Sequence, residues 1–226
     1  MSDSRDAEYY VTTVVMFLIV FFAIFGNIIT IIATYRFNTL QTRTHILIAN
    51  LAVSDLFIAV LAAPIRLVQI YDSTWANKVD NCRAVISLTL FFCNASVFNL
   101  TLISIDRALS IVAPLRYNHS ASQLRLVGQI AISWLIAVVI SALPFVGFGW
   151  ISHGNDRAVD SCRYLAVFDE TYVLFVFGIA VFGPFLIMTI SYVYIFRTAV
   201  SHLKKISAVE LSVRRTSTGY QRTDGE

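Results

Sequence analysis

The chain has 226 residues, 57% of them hydrophobic and 14% charged, with a mean hydropathy of +0.71. A water-soluble domain of this size carries about 25% charged residues, so the composition excludes one and points to an integral membrane protein. A formal net charge of +3 implies no anionic partner, and neither a nucleic-acid motif nor an internal repeat is present.

Five apolar segments have spanning length: residues 11–35, 45–70, 84–112, 124–150 and 171–200. Each is expected to be helical, because a backbone surrounded by lipid must satisfy its own hydrogen bonds. The N-terminus, MSDSRDAEYY, is short, polar and acidic, and does not read as a cleavable leader. The intervening loops alternate in charge. Arg36, Arg43, Arg107, Arg116, Arg125, Arg197, Lys204 and Lys205 collect on one side, and Asp3, Asp6, Glu8, Asp72, Asp80, Asp169 and Glu170 on the other. The Lys/Arg rule places the first group in the cytoplasm. Residues 1–10 are then an extracellular N-terminus, 11–200 a five-helix membrane domain, and 201–226 a cytoplasmic loop or tail.

Taken in order, the first segment holds Gly26-Asn27, which reads equally as a packing glycine with a satisfied amide or as a functional pair. The second, NLAVSDLFIAVLAAP, places Asp55 near mid-membrane, where a carboxylate costs several kcal/mol unless it faces a polar interior. It is either a functional site or a protonated acid bonded to a neighbouring helix. The third segment opens at Cys82 and ends at the adjacent charges Asp106 and Arg107, about 37 Å away at 1.5 Å per residue. Taken alone, this is a spanning helix with a charged end, whose Arg107 could simply snorkel to the interface. Of three cysteines, Cys82 and Cys162 fall in loops on the acidic, oxidising side, and Cys93 lies inside an apolar run. The Asn-x-Ser/Thr patterns at Asn94, Asn99 and Asn118 fall in the membrane or on the basic side and should carry no sugar. The tail has Arg214-Arg215-Thr216-Ser217, either a basophilic kinase site with Ser217 as acceptor or a solvated basic face.

In combination these features resemble the rhodopsin-like (class A) G-protein-coupled receptors. The residues that carry the resemblance are Gly26-Asn27, the Leu51-Ala52-x-x-Asp55-Leu56 run, Cys82, Asp106-Arg107, Pro114-Leu115-Arg116-Tyr117, Trp134 with Pro144, and Pro184 with Tyr192. The resemblance implies an all-α membrane bundle of the seven-helix type, here with five helices, and therefore a fragment or truncated form. It implies a Cys82–Cys162 disulfide tying the loop across the third helix. Closing a loop of about 80 residues should stabilise by roughly 4 kcal/mol. It also implies a sodium site at Asp55 and Ser96 with Asn27 nearby, the Asn bonding toward the second helix. Asn50, Asn99 and Trp134 would form a structural contact among helices two, three and four, with Pro144 and Pro184 as structural prolines. Asp106 would hold the Arg107 guanidinium at rest, and Arg107, Pro114 and Tyr192 would serve G-protein coupling. Ala108 stands where the family usually has Tyr.

The same resemblance places Thr89, Cys93, Tyr164, Val176, Phe177 and Ala180 around an extracellular small-molecule ligand. Amine receptors carry an Asp seven residues after the third-helix Cys; Thr89 here disfavours an amine and suits an uncharged organic molecule. Local runs such as Pro114-Leu115-Arg116-Tyr117-Asn118 and Gly147…Gly149-Trp150 are similar to adenosine receptors, although Leu165 replaces an acid expected there. Melatonin- and opsin-like ligands stay open. The implied setting is the plasma membrane, with heterotrimeric G protein, lipid and a receptor oligomer as partners, no cofactor beyond sodium, and no enzymatic activity. Two alternatives remain: a non-signalling truncated receptor acting through a full-length partner, and a small ion channel or carrier using Asp55.

Overall fold

A computed structural model describes residues 2–112, 123–151 and 162–223. Among these the chain is helical apart from short connections, with five spans: Tyr10–Arg36, Arg43–Tyr71, Val79–Val112, Gln123–Val146 and Glu170–Ser207. They are called the first to fifth spans below. Pro114 lies outside the described residues, as does the Ser217 side chain.

The bundle is inside-out relative to a soluble protein. Phe17, Phe21 and Phe25 stand exposed on the first span, while the residues buried between spans are mostly small: Ala52, Ser54, Ala59, Ala62, Ala95, Ser104 and Ala137. Lipid is as apolar as leucine, so helices gain little by hiding large side chains from it. Small residues let backbones approach, and polar side chains join them.

Two spans carry a π turn, and both turns have the same cause. Proline lacks an N–H, and its ring collides with the carbonyl four residues back. Pro64 follows the turn Ile58–Ala62, and Pro184 follows Phe177–Phe182. In each, the residue before the proline bonds five residues back: Ala63 N–H to the Ile58 carbonyl, and Gly183 N–H to the Gly178 carbonyl. The extra residue rotates everything beyond the turn relative to a continuous α-helix.

Three boundaries differ from expectation. The first helix begins at Ser2, well before the apolar run. The fourth span ends earlier than residue 150: its helix stops at Ala142, Pro144 opens the short 3-10 turn Leu143–Val146, and Gly147 closes it at φ +84°. Residues 201–223, expected as a loop, continue the helix Gly183–Thr223. Between Pro184 and Gly219 the sequence has no Gly or Pro to stop it. At about 1.5 Å per residue that helix exceeds the bilayer core, so its basic end projects into water.

The end of the bundle near the disulfide is closed by the segment between the fourth and fifth spans. Ile151 N–H bonds the Val167 carbonyl at 3.0 Å and Asp169 N–H the Gly149 carbonyl at 2.9 Å, pairing Trp150 with Phe168. Asp169 then caps the fifth span by accepting from Tyr172 N–H at 2.8 Å. Tyr172 is fully buried with Cys82, Ile86, Ile140 and Phe168, and its hydroxyl donates to the Ile140 carbonyl at 3.0 Å. Gly149 is required there for two reasons. Its φ is +73°, and a Cβ would lie 2.1 Å from Tyr172 Cβ. Gly149→Ala should therefore destabilise by about 2–3 kcal/mol, through backbone strain plus overpacking. Thermal unfolding in detergent measures it; an unchanged midpoint would mean the segment moves aside freely. On the same end, hydrogen bonds from Thr74 Oγ1 and Trp75 N–H hold the exposed Asp72 carboxyl below its ordinary value of 3.8.

Candidate functional site

The third span, Val79–Val112, carries functional candidates at both ends and in its middle. At its first end Cys82 is bonded to Cys162, with Cα atoms 5.6 Å apart. Cys162 is further held by Asn77, whose Oδ1 accepts from its N–H at 3.1 Å, and by Gln69, whose Nε2 donates to Sγ at 3.3 Å. Arg66 in turn donates to Gln69 Oε1 at 2.8 Å. Neither Asn77 nor Gln69 stood out in the sequence, where each is one polar residue near a helix end. Arg83, next to the bridge, lies 4.5 Å from the Trp150 ring centroid.

The six residues expected around the ligand have different surroundings. Thr89 is half-buried, and its hydroxyl donates to the Val85 carbonyl one turn back at 2.8 Å. Cys93 and Phe177 are exposed. Val176 and Ala180 are buried in the core with Ile86 and Tyr172, so they pack the third span against the fifth and do not line an opening. Successive helical positions point about 100° apart, which is why Val176 turns in while Phe177 turns out. Tyr164 stands beside the bridge, with its ring 4.9 Å from that of Phe168; burial pushes its phenol above the ordinary value of 10.0.

In the middle of the span, Ser96 Oγ donates to Asp55 Oδ1 at 2.8 Å. Asn27 does not reach toward the second span as the resemblance implied: its amide donates to the Ala23 carbonyl on its own helix at 2.8 Å. A short side chain inside a helix finds the carbonyl one turn back before it finds a neighbouring helix. One layer further on, Asn50 Nδ2 donates to Asn99 Oδ1 at 2.7 Å and Trp134 Nε1 donates to Asn50 Oδ1 at 3.2 Å. These bonds join the second, third and fourth spans. Among the described residues no group of three or more His, Cys, Asp or Glu could hold a metal ion.

The far end departs most from the sequence reading. Asp106 is buried, and among the described residues Arg43 and Thr44 of the second span approach it, while Arg107 does not pair with it. Arg43 Nε lies 3.2 Å from Asp106 Oδ1, and Thr44 Oγ1 donates to Oδ2 at 2.5 Å. Arg43 also donates through Nη2 to Gln129 Oε1 at 2.6 Å, bringing in the fourth span. Arg107 is exposed, and no ion pair joins it to Asp106 among the described residues. Tyr192 is likewise exposed on the fifth span. Arg43 was legible only as one more basic loop residue.

The family model described as "7 transmembrane receptor (rhodopsin family)" matches residues 26–222. Octopamine receptor 2 of Lymnaea stagnalis is 31% identical over 186 residues, covering 81% of this chain and 32% of that receptor. Tyramine receptor 1 of Locusta migratoria is 31% identical over 190 residues, covering 84% and 38% respectively. The D(1B) dopamine receptor of Xenopus laevis is 31% identical over 207 residues, covering 88% and 44%. The chain thus spans about a third to under a half of the length of these relatives. With five apolar spans, the Cys82–Cys162 bridge and a family match over most of its length, this chain is a multi-pass membrane protein that belongs to the rhodopsin family of seven-transmembrane receptors.

Proposed function

We propose that the chain supplies the first five helices of a plasma-membrane receptor. That receptor binds a small extracellular molecule at the disulfide end and engages a heterotrimeric G protein at the Asp106 end. The observation that supports this best is the arrangement of the third span. One helix carries a bridged cysteine at one end and a buried acid followed by an exposed arginine at the other. A loop pinned across a helix end suits a ligand mouth. An exposed guanidinium, with five donors in a fixed fork, suits the backbone carbonyls of a docking protein. The charge distribution supports an outside N-terminus and a cytoplasmic fifth-span extension.

The ligand is a small organic molecule. Relatives named for octopamine, tyramine and dopamine make an amine the natural comparison. At the position seven residues after Cys82, however, this chain offers the neutral Thr89, already bonded to Val85, in place of a carboxylate that would pair an ammonium group. We therefore read the ligand as uncharged where it meets Thr89. Asp55 and Ser96, two hard oxygen donors in contact, fit part of a sodium site; Asn27, turned to Ala23, adds nothing visible to it.

The test is ligand-dependent nucleotide exchange on a heterotrimeric G protein, using a receptor that carries this chain followed by a sixth and seventh helix. Uncharged ligands should drive the parent. Thr89→Asp should raise amine potency about tenfold or more, the value of one charge-assisted hydrogen bond. If no ligand drives exchange in either protein, the coupling reading fails. If amines drive the parent and Thr89→Asp adds nothing, the uncharged-ligand reading fails.

A further inference from the structure

Among the described residues two arginines, Arg43 and Arg107, stand near the buried Asp106 carboxylate, and Arg43 is the one at ion-pair distance. The Asp106 side chain is 4% exposed, so an ionised carboxylate there requires a close countercharge and filled lone pairs. Arg107 is its neighbour in sequence, but adjacent residues on a helix point about 100° apart and do not face each other. Arg43 enters from the second span. Its Nε lies 3.2 Å from Oδ1, a close charge pair without hydrogen-bond alignment, while the Thr44 hydroxyl donates to Oδ2 at 2.5 Å. The remaining arm of the Arg43 fork reaches Gln129 on the fourth span at 2.6 Å. One guanidinium thereby meets the third and fourth spans from the second, and Asp106 has a close countercharge before Arg107 is considered.

We propose that Arg43 is the resting counter-ion of Asp106 and a positioning residue for coupling: by occupying Asp106 it leaves Arg107 disengaged and facing water, ready for a docking protein. The role in coupling rests on the receptor reading above; the pairing itself does not.

The pairing is tested without any G protein, on the purified chain in detergent micelles. An arginine-selective dicarbonyl reagent is applied and the modified peptides are mapped by mass spectrometry. In the parent, Arg107 should react several-fold faster than Arg43. Asp106→Asn should raise the Arg43 rate several-fold and leave Arg107 unchanged. Gln129→Leu, which keeps Asp106 intact, should raise the Arg43 rate to a smaller extent, again without effect on Arg107, and serves if Asp106→Asn fails to fold. A rise in Arg107 reactivity in either variant would overturn the proposal, and so would an Arg43 rate that stays at the parent value in both. Failure of the coupling reading looks different: the modification pattern would hold while nucleotide exchange is absent.

Discussion

Cys162→Ser is expected to lower stability by about 4 kcal/mol, the loop-closure value for a bridge spanning 80 residues. The figure is an upper estimate, because helices held in a membrane or micelle already restrict the unfolded chain. Two further losses accompany it. Cys162 is where Asn77 and Gln69 converge, and Cys82 is fully buried in the cluster that contains Tyr172, Val176 and Ala180. Unpinning the segment should therefore loosen the packing between the third and fifth spans as well as the mouth above them. Thermal unfolding in detergent, with and without reductant, measures the loss. Alkylation of the folded, unreduced protein should label neither Cys82 nor Cys162, while Cys93, mid-way along the third span, should label once the chain is unfolded without reductant. Labelled Cys82 or Cys162 in that experiment would show that the bridge is not the resting state.

The spans were legible because lipid leaves a chain little choice: long apolar runs must be helical, and the five runs appear as five helices. The contacts between Asp55 and Ser96, and among Asn50, Asn99 and Trp134, were legible as juxtapositions only through the family resemblance, since single polar residues in apolar runs do not say which of them meet. Where many polar residues compete, composition stops deciding. Arg43 stands among other basic residues near the span ends, and only its approach from the second span distinguishes it from Arg107. Asn27 shows the opposite limit: its amide had a carbonyl on its own helix within reach, and no pattern in the sequence weighs that against a neighbour. The residues expected around the ligand differ in exposure for a geometric reason. Val176 and Phe177 are adjacent and equally apolar, yet one is 6% and the other 56% exposed. Gly149 drew notice only as part of a short run, although its positive φ and its approach to Tyr172 hold the closing segment in place.

Arg107→Ala is expected to reduce G-protein activation by about thirtyfold or more while leaving ligand affinity close to that of the parent. The setting is a receptor in which this chain is followed by a sixth and seventh helix. Arg107 lies 18 residues beyond Thr89 on the same helix, about 27 Å along its axis, and cannot touch a molecule held near the disulfide. Its exposed guanidinium is available to carbonyls of a docking segment, and truncating a charged hydrogen-bonded group at an interface costs about 2 kcal/mol or more. Arg107→Lys keeps the charge but loses the planar fork, so it should recover only part of the activity; full recovery would indicate a residue that merely snorkels to the interface. The companion variant separates two pictures of the resting state. If Asp106 restrained Arg107, Asp106→Asn would raise basal exchange. With Asp106 paired to Arg43 and Thr44, the substitution releases Arg43 instead, and its cost should fall on stability, as expected for a buried pair broken from one side. Basal exchange should then stay at the parent level at matched surface expression. The measurements are nucleotide exchange with and without ligand, and radioligand affinity, for the Ala, Lys and Asn variants. Parent-level activation by Arg107→Ala would remove Arg107 from the coupling surface altogether, and a raised basal rate in Asp106→Asn would return it to the partnership that its place in the sequence suggests.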